Sequence, residues 1–104
     1  MMVSDDRVLC QNPDPEKQGT RIPRWKYELV SDAIFCALGK RPGGLPFRDL
    51  PTCVRSCLTR DDVAKLGSVS WHTTVVKLDL EARGKIERIP GTRPQMLRAA
   101  DANA

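Results

Sequence analysis

Glycine and proline interrupt this chain at intervals that leave room only for short elements, and that punctuation constrains the fold more than any other feature. Asn12-Pro13-Asp14-Pro15 is a turn, because each proline keeps its predecessor extended, and residues 1–8 before it carry no apolar period. Pro23 stands where a helix can begin, since a first-turn residue needs no amide donor, and Gly39 with Pro42-Gly43-Gly44 stops that helix. Between them Trp25, Leu29, Ala33, Ile34, Cys36 and Ala37 recur at helical spacing. Leu45-Pro46-Phe47 allows only a brief extended piece. A second helix is entered through Asp49 with Pro51 in its first turn, and Leu50, Cys53, Val54, Cys57 and Leu58 form its apolar stripe.

Thr59 stands three residues ahead of Asp62, close to a capping box, and predicts a short helical turn carrying Val63, Ala64 and Leu66 that Gly67 ends. Ser68 or Ser70 caps a third helix from about Trp71 to Arg83, closed by Gly84. On that helix Trp71, Val75, Leu78 and Ala82 share one face, and Val76 and Leu80 lie across a narrow strip holding His72, Asp79 and Arg83. Thr73, Thr74, Lys77 and Glu81 form the remaining face, expected to meet solvent or a partner. Ile86 and Ile89, then Met96 and Leu97, flank Pro90-Gly91 as two short strands joined by a basic loop.

The pattern predicts an α+β fold, mainly α, with three main helices and a C-terminal two-stranded wing. The expected organisation is an N-terminal arm over residues 1–22, partly disordered, one folded domain over 23–98, and a disordered tail over 99–104. The expected core is Trp25, Leu29, Ile34, Leu50, Val54, Trp71, Val76, Leu80 and Ile86. Hydrophobic residues are 40% and charged residues 29% of the chain, enough for a core in a domain of this size.

No apolar run is long enough to span a bilayer, and the N-terminus is not a basic-then-apolar leader, so the chain is expected to be cytoplasmic and without membrane contact. Cys10, Cys36, Cys53 and Cys57 then read as reduced thiols. Cys53 and Cys57 share an apolar helical stripe and form no Cys-x-x-Cys knuckle, so no metal is expected even though Cys36 and His72 bring the nominal ligands to four. His72 is the sole histidine and lacks a nucleophile or orienting group beside it. With no phosphate loop, carboxylate pair or nucleophile elbow, neither an enzyme nor a cofactor is expected.

The order of elements, and above all Val76-Lys77-Leu78-Asp79-Leu80-Glu81-Ala82-Arg83-Gly84-Lys85-Ile86-Glu87-Arg88 followed by Pro90-Gly91-Thr92-Arg93-Pro94, resembles a winged helix-turn-helix. Asn12-Pro13 and the run Lys17 to Tyr27 also resemble the opening of a small bacterial family of unknown function. The winged-helix likeness spans roughly residues 24–98 and implies a third helix in the major groove with a wing on the backbone. Duplex DNA would then meet Ser70, Thr73, Thr74 and Lys77 at the bases, Arg88 and Arg93 at wing phosphates, and Arg21 and Arg24 of the arm along the backbone. The net charge of +4 and its concentration in the arm and wing fit an anionic partner. Lys77 and Glu81, four apart, suit a protein surface as well, so the alternative is a protein-interaction module on the same fold.

Overall fold

A computed structural model describes residues 6–100; residues 1–5 of the expected arm and 101–104 of the expected tail lie outside the described residues. The stretch expected as a loose arm contains a hairpin. Strand β1 (Arg7–Cys10) pairs antiparallel with β2 (Thr20–Pro23), with Val8 opposite Ile22 and Cys10 opposite Thr20. Alternation sends Val8, Cys10 and Ile22 inward and leaves Arg7, Leu9 and Arg21 outside. A strand of 4 residues offers only two inward side chains, too few to read as a period. Gly19 is required where the loop rejoins the hairpin, because a Cβ there would lie 2.6 Å from the Cys10 carbonyl oxygen.

Helix α1 (Arg24–Gly39) buries Val30, Ala33, Ile34, Ala37 and Leu38, the i, i+3, i+4, i+7, i+8 set counted from Val30. Trp25, expected in the core, lies off that line in the first turn and is 47% exposed, with the Lys26 ammonium 5.5 Å from its ring centroid. Leu29 is half-buried and Cys36 is exposed. Strand β3 (Leu45–Pro46) leads through a 3-10 turn at Phe47–Asp49 into α2 (Leu50–Ser56), which buries Leu50 and Val54 fully. The helix stops at Ser56, so Cys57 and Leu58 of the expected stripe lie beyond it, half-buried.

Helix α3 (Arg60–Leu66) is an element in its own right, 7 residues like α2, where a single turn was expected. Its capping box is complete: Asp62 N–H donates to Thr59 Oγ1 at 3.0 Å, and Thr59 N–H donates to Asp62 Oδ2 at 3.1 Å. Gly67 then turns the chain at φ +91° into α4 (Val69–Ala82), whose cap is Ser68 Oγ accepting the Trp71 N–H. The described residues thus hold four α-helices rather than three.

The C-terminal strands β4 (Ile86–Arg88) and β5 (Met96–Ala99) pair antiparallel as expected, but β3 adds to the far side of β5, giving a three-stranded sheet in the order β3-β5-β4. Gly44 makes that pairing possible: its φ is +116°, and a Cβ would strike Ile89 Cδ1 at 2.7 Å. Helices α1, α2 and α4 pack on one another, β5 and β4 lean on α1 and α4, and the β1–β2 hairpin lies against the same two helices. The architecture is α+β with two small antiparallel sheets. Among the described residues no helix is long and apolar enough to cross a membrane.

Candidate functional site

Helix α4 is turned about its axis relative to the sequence expectation. It buries Val69, His72, Thr73, Val76, Lys77, Asp79 and Leu80. Trp71, expected in the core, is 48% exposed; Val75, Leu78 and Ala82 on the same face are half-buried, and Val75 packs against the core. Ser70 is exposed and Thr74 half-buried beside them. The supposed solvent stripe of Thr73, Thr74, Lys77 and Glu81 is therefore not one. Thr73 is fully buried, Lys77 is 3% exposed, and only Thr74 has appreciable access.

The buried charges of α4 can face the interior because each is paired with an opposite charge four residues on. Lys77 is ion-paired with Glu81 and has its ammonium 4.3 Å from the Phe47 ring centroid, so the 3-10 turn covers it. Glu81 is bridged in turn by Arg88 Nε from β4 at 2.8 Å. Asp79, with no exposed surface, is the centre of a second cluster. Its carboxylate accepts the Tyr27 hydroxyl at 2.5 Å, the Gln11 N–H at 2.8 Å, and Arg83 Nε at 2.9 and 2.8 Å to its two oxygens. This one residue ties α4 to α1 and to the end of β1.

The cluster shifts the groups around it. Burial, then the hydrogen bond to the Asp79 carboxylate, raises the Tyr27 phenol well above the ordinary tyrosine range, so it stays a donor. Burial, then the charge of Asp79, pushes the Cys10 thiol up to about 11. The Arg83 guanidinium is raised as well, first by its hydrogen bond to Asp79. His72 has its Nδ1 2.7 Å from the Ser68 carbonyl, which fixes that nitrogen as the donor, and its ring meets Trp71 edge-on. All four cysteines are free thiols. No group of His, Cys, Asp and Glu among the described residues is arranged to hold a metal ion.

Of the residues expected to contact DNA, Ser70, Arg21 and Arg93 are exposed, Thr74 is half-buried, and Thr73 and Lys77 are inaccessible. Arg24 is exposed but pairs with Asp6 at 2.6 Å, and Arg88 is held by Glu81. Sequence reasoning missed Asp79, Tyr27 and the outward face of Trp71. A signal existed for the first of these, an acid set between Leu78 and Leu80, but its partners lie 52 and 68 residues away and no local pattern points to them.

Residues 7–97 match the model of a family of unknown function (DUF6958), and the chain belongs to that family. Comparison with curated proteins and with solved structures returns no match.

Proposed function

We propose that this member of the family is a winged-helix protein-interaction module whose docking surface is the outer stripe of α4. The winged-helix reading is supported by the order α1, β3, α2, α3, α4, β4, β5 and by a sheet in which β3 and β4 flank β5. The observation that carries the function is the orientation of α4: an apolar line keeps accessible surface, with Trp71 exposed, Leu78 and Ala82 half-buried and Val75 also leaning on the core, while the polar line that base reading needs faces in. Steps of four, three and four residues suit a second helix packed at a shallow angle, so the occupant is an amphipathic helix of a partner protein. Four partly covered side chains fall well short of the ~800 Å² per partner of a standard interface. The interaction is therefore transient.

A photo-crosslinking residue at position 74 of the full chain, in living cells, tests this. The expected result is a protein adduct that disappears with Leu78→Asp while the variant stays folded by circular dichroism. An adduct that survives Leu78→Asp, or one formed with DNA alone, overturns the proposal.

A second reading, duplex DNA held through phosphates, is favoured by the exposure of Arg21 on β2 and Arg93 in the wing. It is separated from the first by a mobility shift with random duplex in low salt, which Arg93→Ala would weaken and Leu78→Asp would not.

A further inference from the structure

Cys36 and Cys57 have no part in the α4 stripe or the Asp79 cluster, yet the fold brings their sulfurs together. Cys36 stands on α1 one turn after Ala33, at the rim of the line that the helix buries, and is exposed. The inward stripe of α2 runs through Leu50, Cys53 and Val54 and reaches Cys57, which caps the helix and packs, half-buried, against the core. Because α1 and α2 pack on one another, the end of that stripe meets α1 at Cys36, and the two thiols are hydrogen-bonded. The structure shows both in the reduced form.

Neither sulfur hangs on a loose segment. Cys36 lies inside the 16 residues of α1, and the Cys57 N–H donates to the Val54 carbonyl at 2.9 Å. Two fixed backbones therefore keep the contact, which is the condition for a sulfur–sulfur bond that needs no backbone movement to form. Cys10 is set apart, buried in the β1–β2 hairpin where the Asp79 charge acts on it.

We propose that Cys36 and Cys57 are a redox site, a pair of thiols that hydrogen peroxide converts to a reversible disulfide. The exposed Cys36 reacts first. Its thiolate sulfur bonds one peroxide oxygen, the O–O bond breaks, and the hydroxide that leaves takes up the proton lost from the thiol, giving water and a Cys36 sulfenic acid. The Cys57 sulfur then bonds to the Cys36 sulfur, the S–O bond breaks, and the departing hydroxide takes the Cys57 proton to become a second water. The two thiols together lose two electrons, and one peroxide gains them. A thiol reductant reverses the bond by exchange. The hydrogen bond to Cys57, then burial, raises the Cys36 thiol, against a smaller opposing effect of Lys40. Thiolate is therefore scarce at neutral pH, and the pair is a slow latch that ties α1 to the entrance of α3 rather than a rapid peroxide scavenger. The bond closes the loop of β3, the 3-10 turn and α2, and so removes freedom from the unfolded chain. The site shares no residue with the docking stripe or with the DNA reading and depends on neither.

The test treats the reduced full chain with hydrogen peroxide at pH 7 and at pH 9, traps free thiols with iodoacetamide, and maps the products by mass spectrometry. The expected product is a monomer lighter by two hydrogens in which the peptides of Cys36 and Cys57 are joined, formed faster at pH 9 and reversed by dithiothreitol. Cys36→Ser and Cys57→Ser should each abolish it, and Cys53→Ser should leave it intact. Cys36 is exposed, so its serine variant should keep the fold, and mapping in the wild type needs no variant at all. The oxidised protein should melt about 10 °C above the reduced one. A disulfide through Cys53, a disulfide-linked dimer, or sulfinic acid at Cys36 with no cross-link would each overturn the proposal. So would an oxidised form whose thermal midpoint is no higher than that of the reduced form, since the bond would then hold nothing together.

Discussion

Thr73 is buried with no hydrogen-bond partner for its hydroxyl among the described residues, a costly state for a polar atom. Replacing it by the isosteric valine removes that unmet donor without changing volume. Thr73→Val should therefore stabilise the protein by about 1 kcal/mol in denaturant unfolding; a loss of stability would mean that the hydroxyl has a partner. Asp79 is the opposite case, since every bond it accepts comes from another part of the fold or from Arg83. Asp79→Ala leaves the Tyr27 hydroxyl and the Gln11 N–H without their acceptor and should cost about 1–3 kcal/mol, read from the shift of the denaturant midpoint. The same cluster sets an alkaline limit. Folding raises the Cys10 thiol from 9.0 to about 11, so the neutral form is favoured in the native state. Its contribution is complete below pH 9 and is lost as pH rises towards 11. Tyr27 is raised too and extends the loss to higher pH. A stability profile from pH 8 to 11 should fall, and Cys10→Ala should flatten the first part of that fall.

At the scale of elements, α4 gives two leucines on different faces very different burial. Leu80 is 1% exposed and Leu78 half-buried, so Leu80→Ala should cost about 2–5 kcal/mol and Leu78→Ala less than about 1 kcal/mol, measured by thermal or denaturant unfolding. Equal costs would mean that the outer stripe is covered. This helix also marks where the sequence stopped being informative. Caps and glycine stops were legible because they act within a few residues: the Thr59 box, the Ser68 cap, the breaks at Gly67 and Gly84 and the C-terminal strand pair all fall where expected. The orientation of α4 was not legible, because the i, i+4 partners Glu81 and Arg83 look the same on a solvated face, and the contacts that cover Asp79 and Lys77 come from Tyr27, Gln11 and Phe47 on distant parts of the chain. The β1–β2 hairpin was missed for a related reason, since strands of 4 residues carry too little pattern to detect, and the extended piece at Leu45–Pro46 was expected without its pairing to β5.

For the molecule as a whole, part of the positive charge is already committed to ion pairs. Arg24 and Arg83 are paired with Asp6 and Asp79, Arg88 and Arg98 with Glu81 and Glu87, and Lys77 is enclosed beside Glu81. Arg21 and Arg93 remain on the outside for the phosphate-binding reading. If duplex DNA is bound at all, removing Arg93 together with Arg88 should lower the salt slope by about one, not two, because Arg88 is already held by Glu81. The protein-docking account depends instead on a single geometric statement, that α4 presents Trp71 to solvent. Iodide quenching of Trp71 fluorescence in a Trp25→Phe background measures this directly. The account predicts an accessible indole with strong quenching in the native state, and a red-shifted emission that changes little on unfolding. A shielded, blue-shifted indole that iodide reaches only after unfolding would contradict it.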